Sequence, residues 1–174
     1  LNLPGGRDPV AGGALSLRTR LAGQLKEQSP RILRGNASEI MALAGYSSVT
    51  KAPESTSSSA DALHAARELA LHTGAAVLVT GRTDYSTDGR QVTATENGHA
   101  MMSRVTGVGC SMGALSAACA AVSPSRLQAA VSTAVLMGIA GEMAFEQSPF
   151  PGSFAVSLLD SLYALSPEDV VRRA

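Results

Sequence analysis

The sequence predicts an α/β layered domain, and three observations carry that prediction. Segments with helically spaced apolar residues alternate with short apolar runs of strand length. The clearest run, AAVLVT at Ala75–Thr80, shows no polar alternation, as a strand covered on both faces requires. YSTDGRQVTA then places Asp88-Gly89 between β-prone segments, so one hairpin interrupts the alternation.

In chain order, DPVAGGA (Asp8 to Ala14) reads as a Pro/Gly loop and Leu15 to Glu27 as a helix. Arg31 to Leu33 is short enough to be a buried strand end. GNASEIMALAG reads as a helix with Asn36 as N-cap and Gly45 just past its end. SSVTKAPESTSSSA, Ser47 to Ala60, is a serine-rich surface loop with little to offer a core. Asp61 to Thr73 is a helix closed by Gly74, and the Ala75–Thr80 strand and the hairpin follow. A run of small residues after RVTGVG begins the next helix. Arg126 to Gln147 and Ser153 to Leu165 are the last two, the second with Phe154, Leu158, Leu159 and Leu162 as a core stripe. No internal repeat is visible.

The chain has 174 residues, suited to one domain spanning 1–174 with a real core. Lys+Arg and Asp+Glu both number 14, which excludes a basic face for nucleic acid or anionic membrane. No apolar run is expected to reach bilayer length, and LNLPGGRDPV shows no apolar h-region. Cys110 and Cys119, nine residues apart, would lie on opposite sides of one helix, about 180° around and ~13 Å along its axis. They cannot pair there, so free thiols and a cytoplasmic location are expected. His64 and His72, eight apart on a helix, do not form a chelating pair.

The stretch TGVGCSMG admits three readings. A dinucleotide loop needs Gly or Ala where Met112 stands, and no acidic residue follows at the expected distance. A G-x-S-x-G nucleophile elbow fits Gly109 to Gly113, but all three histidines precede Ser111, against the chain order that fold requires. The third reading is an anion hole: Gly107 and Gly109 open the backbone to a phosphate at a helix N-terminus. A Gly-rich turn beside a small buried cysteine is the plain alternative. Glu39 likewise has capping-box spacing from Asn36, Arg34 can be read as a surface cation, Thr80 as a strand end, and Asp88 as a turn residue.

Four segments taken in order carry a resemblance: RGNASEIMALAG, VLVTGRTDYSTDG, MMSRVTGVGCSMGA and PGSFAVSLLDSL. Together they closely resemble hydroxyethylthiazole kinase, a thiamine-salvage family of the ribokinase-like superfamily, and DPVAGGAL near the start fits too. The resemblance covers nearly the whole chain from about Asp8. It implies a ribokinase-like layered sheet flanked by helices, with the N-terminal strands missing, so that 1–174 is a partial kinase domain. It implies ATP-dependent phosphorylation of the hydroxyl of 4-methyl-5-(2-hydroxyethyl)thiazole with Mg²⁺, in a homotrimer with sites at subunit interfaces. Arg34 and Thr80 would contact the nucleotide. Glu39 and Asp8, with Asn36 in support, would organise Mg²⁺. Gly107 would approach the thiazole, and Cys110 would face the acceptor hydroxyl where related kinases carry an aspartate base. Val108 departs from the small hydroxyl residue usual between the glycines. The family's upstream segment is absent, and Gly5, Gly6 and Arg7 poorly suit the buried strand that leads into Asp-Pro. The rival readings are a kinase of a pyrimidine or pyridoxal alcohol, and an inactive nucleotide-binding or oligomer-forming relative.

Overall fold

The computed structural model of the chain describes residues 6–7, 16–26, 28–46, 59–60 and 62–174. These form one five-stranded sheet whose strands follow chain order: β1 (Gly6–Arg7), β2 (Ile32–Asn36), β3 (Ala76–Thr80), β4 (Asp84–Thr87) and β5 (Val92–Thr95). The first three are parallel; β4 and β5 add an antiparallel hairpin to β3. The helices are α1 (Ser16–Lys26), α2 (Ala37–Leu43), α3 (Leu63–Thr73), α4 (Val108–Val122), α5 (Arg126–Gln147), α6 (Pro151–Ala164) and α7 (Pro167–Arg173), with a 3₁₀ turn at Ala100–Arg104.

Strand periodicity explains the two cores. On β3, Ala76 and Leu78 point to one side and join Ile32 of β2 and Met112, Met137, Phe154 and Leu158 from α4, α5 and α6. Val77 and Val79 point to the other and join Leu33 of β2 and Ile40, Ala66 and Leu69 from α2 and α3. The strand is therefore buried on both faces, which is why its sequence is continuously apolar rather than alternating.

Most predicted boundaries hold within a residue or two, and the differences have local causes. The strand read at Arg31 to Leu33 runs on to Asn36, because Arg34, Gly35 and Asn36 continue the ladder opposite Leu78, Val79 and Thr80. Gly6–Arg7 does form a strand, parallel to β2. Backbone groups alone make that pairing, and a sheet-edge position does not demand apolar side chains on both faces. Leu15, Glu27 and Asp61 lie outside the described residues, as do positions 47–58 of the predicted serine-rich loop. Its described end contradicts the expectation of little core involvement: Ser59 is buried and its Oγ donates to Thr83 O at 2.5 Å. In the α6 stripe, Phe154 and Leu158 are buried and Leu162 packs beside them, but Leu159 is 57% exposed. The C-terminal α7, whose capping box joins Ser166 and Asp169, was not foreseen.

The expectation that no apolar run reaches bilayer length is also corrected. At 22 residues, α5 is by length and composition apolar enough to cross a membrane. Its Ala129, Ala130, Thr133, Ala134, Met137 and Ala140 are instead buried within this fold, packed against the sheet and between α4 and α6.

The predicted turn signals work as expected. Asp88 Oδ1 accepts from the Arg90 and Gln91 N–H groups at 2.9 and 2.8 Å, which closes the hairpin and holds the carboxyl below its ordinary pKa, chiefly through Gln91. Gly74 ends α3 in the left-handed region.

Candidate active site

A cleft of about 1110 Å³ opens beyond the carboxyl ends of β2 and β3. In an open parallel sheet this is where ligands bind. Arg34 of β2 forms part of its lining, with Thr80 ending β3, the turn Gly81–Asp84, the loop after β5 and the start of α4.

Arg34 is 8% exposed, so the surface-cation reading is wrong. A buried guanidinium is costly unless anions or acceptors surround it. Its Nη1 donates to Met112 Sδ at 3.7 Å, and a Cβ on Gly109 would lie 3.4 Å from its Nη2. Arg34 thus lies against the first turn of α4. Gly107 is the N-cap there, with φ +101, a conformation that side-chain-bearing residues rarely adopt. Among the described residues no side chain caps α4, so its first N–H groups are open to solvent or a ligand.

Opposite Arg34, Asp84 Oδ1 accepts from the Gly81 N–H at 2.9 Å, closing the turn that follows Thr80. Burial pushes the Asp84 carboxyl up from 3.8 to about 6, against the opposing effects of that N–H and of the Arg34 charge. Sequence reading passed over Asp84, although it stands inside VLVTGRTDYSTDG; the T-G-x-x-D spacing, an acid able to bond the N–H three residues back, was the available signal. Met112 and the loop residues Glu96 to His99 were missed as well. They come from separate segments that only the fold brings together.

Asn36 and Glu39 sit one step along the same rim. Asn36 is the register partner of Thr80, and its Oδ1 accepts from the Glu39 N–H at 3.0 Å and from Ser38 Oγ at 2.7 Å. Glu39 Oε2 accepts from the Asn36 N–H at 2.9 Å, so the capping box is real. It also fixes the orientation of the carboxylate. Hard oxygen donors of this kind suit Mg²⁺, which needs only one or two carboxylates and keeps its waters. Asp8, the second predicted carboxylate, lies outside the described residues, and these contain no group of three His, Cys, Asp or Glu able to hold a metal by themselves.

The structure therefore brings Arg34, Thr80 and Gly109 together around the cleft, with Asn36 and Glu39 beside it. Gly107 and Cys110 flank the lining residues Val108 and Gly109 without lining the cleft themselves, and Cys110 is exposed. Cys119 is buried and both thiols are free, as the spacing predicted.

The chain is 94% identical over its full length to a hydroxyethylthiazole kinase of Akkermansia muciniphila, covering 64% of that protein. It is 53% identical over 158 residues to one of Granulibacter bethesdensis, covering 91% of this chain and 58% of the relative. The solved structure of a hydroxyethylthiazole kinase protein from Pyrococcus horikoshii superposes with a TM-score of 0.85 at 38% identity, over 97% of this chain and 62% of that one. The chain thus spans under two thirds of the length of each. The model of the hydroxyethylthiazole kinase family matches residues 1–168, and the chain belongs to that family.

Proposed function

We propose that the cleft binds ATP and that the protein phosphorylates the hydroxyl of hydroxyethylthiazole in thiamine biosynthesis or salvage. The observation that supports this best is the buried Arg34 guanidinium, aimed between the start of α4 and the Thr80 turn. A guanidinium at the lining of the cleft suits a polyphosphate well.

Phosphoryl transfer runs through a loose transition state, so catalysis is mostly positioning and charge neutralisation. Arg34 offsets phosphate charge from within the protein, where it is weakly screened. Thr80 presents its hydroxyl at the rim. The N–H groups of Val108, Gly109 and Cys110 at the start of α4 offer an uncapped positive end to the phosphoryl oxygens. Cys110, exposed beside them, would take the proton of the acceptor hydroxyl, and Gly107 would leave room for the thiazole. Glu39 and Asn36, with Asp8, would hold Mg²⁺ through its waters. When bound, the metal would neutralise charge on the phosphates.

Cytoplasmic location and homotrimeric assembly with sites at subunit interfaces belong to the same reading. Two free thiols support the first, and the family supports the second. The test is phosphate transfer from labelled ATP to hydroxyethylthiazole. The 174-residue chain is expected to bind Mg-ATP weakly with negligible transfer, and the chain joined to the preceding segment of the Akkermansia relative is expected to turn over. Robust turnover by the chain alone would show that segment to be dispensable; no transfer by the joined protein would defeat the kinase reading.

A further inference from the structure

The loop between β5 and the 3₁₀ turn forms one wall of the cleft, through Glu96, Asn97, Gly98 and His99. Its other side is fastened to α5 by residues at helical spacing, Gly138, Glu142 and Phe145. A Cβ on Gly138 would lie 2.6 Å from Asn97 Cβ and 2.7 Å from its backbone carbon and oxygen, so only glycine lets the loop come this close. His99 stacks on Phe145 with ring centroids 3.5 Å apart, and its Nδ1 accepts from the Met101 N–H.

Glu142 is the polar fastener in this row. Its Oε1 accepts from the Gly98 N–H at 2.9 Å and from Asn97 Nδ2 at 3.2 Å. Asn97 Nδ2 also donates to Arg173 O at 2.8 Å, and the Arg173 guanidinium lies 3.9 Å from Glu142 Oε2. Arg173 is itself anchored on Glu146 through two bonds of 2.8 and 2.9 Å. A half-buried carboxylate is costly unless its oxygens are used. Here they are used on a wall of the cleft and on the last helix. None of the core contacts of α5 requires an acid at this position.

We infer that Glu142 is a positioning residue for nucleotide binding: without lining the cleft, it holds the Asn97–His99 wall in its binding-competent place, with Arg173 as its counter-charge. This rests on reading the cleft as the nucleotide site. Removing the acceptor frees two donors and lets the wall drift, whereas glutamine keeps a carbonyl oxygen for both.

The experiment compares the chain with its Glu142→Ala and Glu142→Gln variants by calorimetric titration with Mg-ATP and by amide hydrogen exchange. Glu142→Ala is expected to raise the Kd about tenfold and to speed exchange at the Gly98 amide by at least that factor. Amides of β3 and the middle of α5 should keep their wild-type rates, and Glu142→Gln should stay within about threefold of wild type in both readouts. An unchanged Kd in Glu142→Ala would overturn the inference, as would a loss of binding accompanied by faster exchange throughout β3 and α5. Failure of the unmodified chain to bind Mg-ATP would overturn the nucleotide reading itself and this role with it, a failure visible before any variant is made.

Discussion

Asn36 and Thr80 are register partners at the carboxyl ends of two neighbouring parallel strands. Thr80 lines the cleft, while Asn36 caps α2 and holds Glu39. One backbone pairing therefore sets the distance between the proposed metal-organising group and the proposed nucleotide contact. Neither side chain has to be placed by a flexible loop.

Glu39→Gln separates capping from catalysis. The glutamine oxygen can still accept from the Asn36 N–H, so stability is expected to change by less than about 0.5 kcal/mol. Mg²⁺-dependent ATP binding is expected to weaken at least tenfold, since the charge is gone. Melting temperature and titration decide it: a destabilised variant with undiminished binding would leave Glu39 only a cap.

Asp84 gives the protein a pH signature. Its carboxyl is raised from 3.8 to about 6, so the folded state binds the proton more tightly than the unfolded chain does. The resulting stability is fully present below about pH 4 and is lost as pH rises through 6. Relative to Asp84→Asn, which can still accept from the Gly81 N–H, the wild type is expected to lose about 1–2 kcal/mol across that window. Parallel stability profiles for the two proteins from pH 4 to 7 would contradict this.

Cys110 is exposed, so neither Cys110→Ala nor Cys110→Asp is expected to lower the melting temperature appreciably. In a turnover-competent protein, Ala is expected to slow transfer by up to about 10²-fold, and Asp to retain or raise activity. Full activity in the Ala variant would remove the thiol from the chemistry.

Gly107→Ala tests the mouth of α4. No described residue lies within 4 Å of the added Cβ, so the expected cost comes from φ +101. A loss of about 1–2 kcal/mol in chemical denaturation is expected. No loss would mean that the loop relaxes freely, and the preformed anion hole would be in doubt.

What was legible in the sequence follows from how local each feature is. The β3 strand, the Gly74 stop, the Asp88 hairpin turn and the Asn36–Glu39 box each depend on residues within one short segment, and all were read correctly. Arg34, Thr80 and Gly109, which the structure brings to the cleft, belong to motifs whose order survives in the chain. The burial of Arg34 was not, because α4, which packs on it, lies some seventy residues further on. Asp84 and Glu142 were missed for the same reason: their surroundings come from other elements. Leu159 shows the opposite error, where helical spacing alone does not say which side of an apolar stripe faces solvent.

The proposed nucleotide site depends above all on Arg34, which would mark where the phosphates bind. Titration of Mg-ATP into the chain and into Arg34→Met tests it most directly, because methionine fills similar volume and replacing a buried charge with an apolar group need not cost stability. Saturable binding by the wild type, weakened at least tenfold in Arg34→Met at an unchanged melting temperature, is the result expected. Equal affinity in the two proteins, or no binding by either, would contradict it.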